Sequence, residues 1–154
     1  MKGLKIKDIS VKAKQGQYGI VFTSWNPSIV QDLLKETKKE LVSQGVDEAN
    51  IYLKEVPGAF ELPLATQFMA EKEGILSVIS LGAIIRGDTP HFDFISSSCL
   101  EGLQKVSLKT RIPVICGVLT TNTIEQAEER SNPNKMNKGK EFALTALNMV
   151  DSLS

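Results

Sequence analysis

Histidine and cysteine are scarce in this sequence of 154 residues, which contains one histidine and two cysteines. A structural zinc site needs about four ligands drawn from these residue types, and the chain has fewer. We therefore expect no metal site. The cysteines, Cys99 and Cys116, form no CxxC pair, although their number alone leaves a disulfide open.

Long hydrophobic runs and an excess of one charge are also missing. The longest apolar run lies within 75–85 and is broken by polar residues and glycine, whereas a membrane-spanning helix needs roughly 20 apolar residues. Residues 1–10 contain lysines but no hydrophobic segment typical of a secretory leader. Lys plus Arg and Asp plus Glu both number 18, which gives no support for nucleic acid or membrane as a partner. We expect a cytoplasmic protein with reduced thiols.

What the sequence does contain is an alternation of short apolar runs with longer helical patterns. The apolar runs predict strands at 18–23, 50–56, 75–85 and 113–119. Helical spacing predicts helices over 27–44, 60–72, 92–109 and 124–130, and a last one after residue 138. That last helix should bury Phe142, Ala146, Leu147 and Val150.

This order predicts a single α/β domain over 1–154, with 1–17 as an N-terminal arm. Strands that alternate with helices form right-handed βαβ units around a parallel sheet. The expected architecture is a three-layer, flavodoxin-like sandwich, in which a four-stranded parallel sheet carries helices on both faces. Three local signals support the boundaries: Asn26 as an N-cap before Pro27, Gly45 as a helix stop, and a capping box from Thr123 to Gln126.

Unusual residues cluster where the predicted strands end. Ligands of parallel sheets bind beyond the carboxyl ends of the strands, and these ends lead into 24–26, 56–61, 86–92 and 120–123. In the third segment, Gly87 permits close backbone approach, and the Thr89 hydroxyl with free N–H groups suits an oxyanion such as phosphate. His91 beside them can transfer a proton near neutral pH, or it is simply an exposed residue at a helix start.

The other segments each admit two interpretations. Glu61 either interacts with a helix dipole or accepts hydrogen bonds from ligand hydroxyls. Trp25 is either a core residue or a platform that stacks on a heterocycle. Arg130 and Lys138 are either solvated charges or cations for a phosphate.

Four sequence blocks carry a close resemblance to the lumazine synthases of riboflavin biosynthesis, from about residue 18 to 153. The blocks are FTSWN, VPGAFELP, LGAIIRGDTPHFD, and PVICGVLTTNTIEQAEER followed by NKG. The resemblance implies condensation of 5-amino-6-(ribitylamino)uracil with 3,4-dihydroxy-2-butanone 4-phosphate. The products are 6,7-dimethyl-8-ribityllumazine, phosphate and water, and the reaction uses no metal or organic cofactor.

The resemblance also implies a role for each site residue. His91 would be the proton shuttle, and the phosphate would be bound by Gly87, Asp88 and Thr89 together with Arg130 from a neighbouring subunit. The other substrate-binding residues would be Trp25, Asn26, Ala59, Phe60, Glu61, Ala83, Ile84, Ile85, Cys116 and Lys138. The implied partners are small-molecule substrates, further copies of the chain in a pentamer or an assembly of pentamers, and riboflavin synthase as a candidate.

Two positions depart from the family pattern. Cys116 stands where the family commonly has Phe, and we hypothesise that the larger Trp25, at a place filled by Phe or Trp, compensates for it. The stretch 131–136 replaces a glycine-containing segment, and its Pro133 should stiffen the link between the last two helices. This link can influence whether pentamers assemble further.

Two other functions compete with the enzyme. A flavodoxin-like module that holds a flavin or nucleotide would also use Trp25 and an oxyanion turn, but His91 beside that turn favours catalysis. A purely structural shell protein would not need the site residues.

Overall fold

The computed structural model describes residues 8–154. Within them, the strands are β1 (Gln17–Thr23), β2 (Ile51–Val56), β3 (Ile75–Ile85) and β4 (Val114–Thr121). The α-helices are α1 (Val11–Lys14), α2 (Pro27–Ser43), α3 (Leu62–Ala70), α4 (His91–Thr110), α5 (Ile124–Ser131) and α6 (Lys138–Ser152). Short 3₁₀ turns at Glu48–Asn50 and Ala59–Glu61 precede β2 and α3.

The four strands form one sheet in the order β2-β1-β3-β4, and every pairing is parallel. Ile20 of β1 lies opposite Leu53 of β2 and Ile79 of β3, and Ile79 lies opposite Ile115 of β4. Because all strands run the same way, their carboxyl ends meet at one edge of the sheet. The predicted four-stranded parallel α/β sandwich is confirmed.

Two apolar cores lie between the sheet and its two helix layers. One core contains Ile20, Leu33 and Leu147 and lies between the sheet and helices α2 and α6. The other contains Leu62 and Leu103 and lies under α3 and α4. Each fully buried side chain of this size stabilises the fold by roughly 1.5–3 kcal/mol. The sheet is thus fixed from both sides, as its apolar strands predict.

Several boundaries and burial predictions need correction. β4 continues to Thr121 instead of ending at Leu119, because its last residues still pair with β3. The helix predicted from residue 60 begins at Leu62, since Ala59–Glu61 tighten into a 3₁₀ turn. Phe142 is half-buried rather than buried, because its ring lines an open pocket described below.

The predicted cap of α2 is wrong in its mechanism. Asn26 does precede Pro27 at the helix start, but its side chain makes no capping hydrogen bond. Its backbone is left-handed, with φ of 54°, a conformation that Asn tolerates better than most residues. The side-chain Nδ2 instead donates to the carbonyl oxygen of Ala83 at 2.9 Å. Asn26 therefore ties the end of β1 to the end of β3. The stop at Gly45 and the Thr123 capping box are confirmed.

The predicted N-terminal arm, 1–17, is described only from residue 8 onwards. In this part, Ile9 and Ala13 are buried in the core beside α6. The Ser10 N–H and hydroxyl both donate to the Asp151 carboxylate, the N–H at 3.0 Å. These bonds lower the pKa of Asp151, since they stabilise its charged form. The segment from Ile9 to Lys14 is thus packed on the domain.

Candidate active site

A cavity of about 440 Å³ opens where β1, β2 and β3 end. We call it the histidine pocket, because its lining includes the only histidine of the chain. It is lined by Trp25, Asn26, Gly58, Ala59, Phe60, Glu61, Ala83, Ile84, Ile85, His91 and Ile95. Parallel strands thus bring nine of the predicted site residues from three distant segments into one cavity.

Trp25 forms an exposed wall of this pocket. Its side chain is 69% exposed, so the interpretation as a core residue is wrong. The backbone below it is fixed, because the Trp25 N–H donates to the Pro57 carbonyl oxygen at 3.3 Å. A side chain at Gly58 would start 3.5 Å from the indole Cδ1 atom. The absence of a side chain at Gly58 therefore leaves room beside the indole ring, which can accept a planar ligand.

Glu61 lies in the 3₁₀ turn, and its carboxylate is also close to Gly58. Its Oε2 accepts a hydrogen bond from the Gly58 N–H at 3.1 Å. Among residues 8–154, no other hydrogen bond uses this exposed carboxylate. It is therefore oriented by the backbone and still able to accept hydrogen bonds from hydroxyl groups of a ligand.

Arg86 holds the turn that follows β3. Its Nε donates to Asn122 Oδ1 at 3.0 Å, and its guanidinium pairs with Asp93 at 3.2 Å. The same group lies over the Phe92 ring, 4.3 Å from the centroid. These contacts connect the turn to α4 and to the residue after β4. Sequence reasoning named Arg86 in the turn but gave it no role.

Gly87, Asp88 and Thr89 lie exposed in this turn and do not line the histidine pocket. No atom lies within 4 Å of the place where a Cβ of Gly87 would stand, so a ligand can approach the backbone. His91 begins α4, and its N–H donates to Thr89 Oγ1 at 3.4 Å. The turn and His91 are therefore adjacent, as an oxyanion site beside a proton donor requires.

A second cavity, of about 250 Å³, lies at the open edge of β4. We call it the cation pocket, and its lining residues are Cys116, Val118, Leu119, Thr120, Arg130, Lys138, Glu141 and Phe142. Lys138 Nζ pairs with Glu141 at 2.8 Å, and Arg130 Nη1 donates to the Gln126 carbonyl oxygen at 3.0 Å. With two cations against one carboxylate, this pocket suits an anion.

Cys116 contributes a neutral thiol to the cation pocket. Desolvation raises the pKa of this thiol, and a backbone hydrogen bond with Val118 offsets part of the rise. On α4, burial and the nearby Cys116 raise the pKa of Cys99 to about 12. Both cysteines are free. Cys116 is therefore protonated near neutral pH, and it lines the pocket without the thiolate that a nucleophile needs.

The predicted site residues thus divide among the two pockets and the exposed turn of Gly87, Asp88 and Thr89, which lines neither pocket. The histidine pocket and the cation pocket share no lining residue. Sequence reasoning missed Gly58 and Ile95 in the first, and Val118, Leu119, Thr120, Glu141 and Phe142 in the second. Two signals could have found some of them: Gly58 directly follows Pro57, and Ile95 lies one helical turn after His91.

A comparison with protein families agrees with this geometry. The family model of 6,7-dimethyl-8-ribityllumazine synthase matches residues 15–154. The chain belongs to this family. It is therefore a transferase of riboflavin biosynthesis, and lumazine synthases condense 5-amino-6-(ribitylamino)uracil with 3,4-dihydroxy-2-butanone 4-phosphate.

Two other features are absent from the described residues. Among residues 8–154, no group of three or more His, Cys, Asp or Glu side chains could hold a metal ion. No helix in the same part of the chain is long and apolar enough to cross a membrane.

Proposed function

We propose that the lumazine synthase site of this chain forms between two neighbouring copies, from the histidine pocket of one and the cation pocket of the next. The observation that carries this proposal is the separation of the two pockets within one chain. The reaction needs a proton shuttle, a pyrimidine site and a phosphate site together. A head-to-tail contact would supply all three at every interface of a closed ring.

The histidine pocket fits the ribitylamino-pyrimidine. The exposed Trp25 ring would stack on the heterocycle, beside Asn26. Residues 83–85 are the last of β3. Their backbone groups would form hydrogen bonds with the polar edge of the pyrimidine. Glu61, oriented by Gly58, would accept hydrogen bonds from the ribityl hydroxyls, with Ala59 and Phe60 beside it.

The exposed turn of Gly87, Asp88 and Thr89 fits one side of the phosphate of the second substrate. The open space at Gly87 would admit the phosphate to the backbone N–H groups. Arg130 and Lys138 of the neighbouring chain would neutralise its charge from the other side. Because Lys138 is already paired with Glu141, Arg130 should supply the larger share.

His91 would carry the proton transfers. The expected course is loss of water as the substrate amine and ketone form an imine, then departure of phosphate, tautomerisation, and ring closure with loss of a second water. The imidazole would take protons from carbon or nitrogen and return them to the leaving oxygen. Most of the acceleration would come from holding two substrates together.

Exposed apolar side chains support assembly with further copies. Phe60 in the 3₁₀ turn is followed at intervals of four by Leu64 and Phe68 of α3, and these residues are 63%, 66% and 69% exposed. They continue from the histidine pocket to a neighbouring cavity of about 550 Å³. A monomer rarely exposes such a stripe without a partner. We propose a pentamer, alone or in an assembly of pentamers.

Two predictions about the cellular setting stay proposals. The free state of both cysteines fits a reducing, cytoplasmic location. Riboflavin synthase, which would use the lumazine product, is the protein partner that the pathway favours.

A fluorescence assay tests the proposed function. The purified protein is mixed with both substrates, and the appearance of lumazine fluorescence is followed against the spontaneous reaction. We expect acceleration only in fractions that light scattering identifies as oligomers. No acceleration over the spontaneous rate would refute the enzyme, and full activity in a monomeric fraction would refute the shared site.

A further inference from the structure

Helices α2 and α6 make a close contact next to Lys138, which lines the cation pocket. Gly139 of α6 is buried against α2. A Cβ at this position would lie 2.7 Å from the Leu33 carbonyl oxygen and 3.0 Å from the Glu36 Cβ. Only a residue without a side chain allows the two helices to approach this closely. The start of α6 is therefore pressed against the backbone of α2.

Two side chains of α2 bind the residues on either side of Lys138, one through the backbone and one through a side chain. Thr37, fully buried, donates from Oγ1 to the Gly139 carbonyl oxygen at 3.0 Å. Glu36, only 8% exposed, accepts from Asn137 Nδ2 at 3.4 Å. The flanking residues 137 and 139 are thus both held by α2. Lys138 itself lies between them and faces the cation pocket.

Asn137 extends this connection to α5. Its backbone is left-handed, with φ of 44°, and its Oδ1 accepts from the Lys140 N–H. Its own N–H donates to the Asn132 carbonyl oxygen at 3.1 Å. Asn132 caps the end of α5, two residues after Arg130. One asparagine therefore links Glu36, the start of α6 and the end of the helix that carries Arg130.

We infer that Thr37 and Glu36 are positioning residues that hold Lys138 and Arg130 in place for the phosphate-bearing substrate. This inference rests on the proposed role of the cation pocket. Neither residue lines that pocket, so Thr37 acts through the Gly139 backbone and Glu36 through the Asn137 side chain. A misplaced cation loses much of its interaction with an anion, because charge-assisted hydrogen bonds depend on short distances.

The main test is Thr37→Val, which removes the hydroxyl and keeps the shape of the side chain. We expect the KM for the phosphate-bearing substrate to rise roughly fivefold, the effect of losing one buried hydrogen bond. The inhibition constant of inorganic phosphate should rise in parallel. The KM for the pyrimidine and kcat should change little. Thr37→Ser keeps the hydroxyl and should restore values near those of the parent protein.

Thr66→Val is a matched control. Thr66 is also fully buried and shares a 2.7 Å hydrogen bond with Ser80, but it lies on α3, on the other side of the sheet. This variant should lower thermal stability as Thr37→Val does, without raising the KM for the phosphate-bearing substrate. Equal changes in both KM values for Thr37→Val, or the same KM change in Thr66→Val, would overturn the inference.

Glu36→Met and Glu36→Gln supply a second test, independent of whether Thr37→Val folds. The methionine variant loses the acceptor for Asn137 and should raise the KM for the phosphate-bearing substrate. The rise should be smaller than in Thr37→Val, because the bond of Glu36 with Asn137 is longer than that of Thr37 with Gly139. The glutamine variant keeps an acceptor oxygen and should behave as the parent. An unchanged KM in Glu36→Met would exclude Glu36 from the positioning role.

Lys138→Met separates failure of the inference from failure of the proposed function. If Lys138→Met raises the phosphate-substrate KM and Thr37→Val does not, only the inference fails. If neither Lys138→Met nor Arg130→Ala changes this KM, both proposals fail. A further variant adds Thr37→Val to the double variant Lys138→Met/Arg130→Ala. The KM for the phosphate-bearing substrate should not rise further, because Thr37 acts on this KM only through these two cations.

Discussion

The histidine pocket and the cation pocket are built by different parts of the fold. The first lies at the carboxyl ends of three strands and contains one imidazole, one indole and a backbone-held carboxylate. The second lies at the edge of β4, between that strand and α5 and α6, and contains two cations. One can position a heterocycle and move protons, and the other can hold an anion. A single chain thus keeps the residues that we propose for proton transfer apart from those that we propose for charge neutralisation.

The two pockets should differ in the kinetic constant that their residues control. A proton shuttle acts mainly in the transition state, so its loss lowers kcat. A phosphate clamp binds substrate and transition state alike, so its loss raises KM. Three sets of variants test this difference, and they are given in order of decreasing effect.

His91→Ala should have the largest effect. We expect kcat to fall roughly 100-fold, the low end of what general acid–base catalysis contributes, and some activity to remain because both substrates are still positioned. His91→Asn, which can form hydrogen bonds but cannot shuttle a proton near neutral pH, should lose as much. Steady-state fluorescence kinetics measure both variants. Parental kcat in either would remove the proton-shuttle role.

Arg130→Ala should act mainly on binding. We expect the KM for the phosphate-bearing substrate to rise roughly tenfold or more, because a charge-assisted hydrogen bond to phosphate is lost. Lys135→Ala is a suitable control, since it removes an exposed cation close to the end of α5 that does not line the cation pocket. The two variants are compared by titrating each substrate separately. A fall in kcat without a change in KM would break the division between the pockets.

Trp25→Phe should have the smallest effect, a rise of roughly threefold in the KM for the pyrimidine, since stacking area shrinks but persists. If Trp25 compensates for the small side chain of Cys116, adding Cys116→Phe should reverse most of this rise. Unchanged substrate affinity in Trp25→Phe would refute the compensation. Steady-state kinetics at varied concentrations of the pyrimidine substrate measure both variants.

The sequence predicts the histidine pocket better than the cation pocket. Strand ends follow from hydrophobic runs, and a parallel sheet brings Trp25, Glu61 and His91 to one edge. Cys116 lies within β4 rather than at its end, so no rule about strand ends finds it. Arg130 and Lys138 were identified through the family resemblance, while their residue types alone fit ordinary solvated charges.

Local packing was harder still to predict. Asn26 has the residue type and position of an N-cap, yet its side chain donates to the Ala83 carbonyl oxygen on the neighbouring strand β3. Propensity describes an isolated helix end, and a tertiary hydrogen bond overrides it here. The contact of Thr37 with Gly139 likewise joins residues 102 positions apart, which helical periodicity cannot indicate.

Mixing of two impaired chains tests the shared site most directly. His91→Ala and Arg130→Ala chains, refolded together in equal amounts and assayed with the phosphate-bearing substrate far below its KM, should show about a quarter of parental activity in addition to their residual activities, because one interface in four joins two intact pockets. The parent mixed with the double variant should give the same fraction. If each chain instead contains a whole site, the first mixture would regain nothing and the second would keep about half, which would contradict the account.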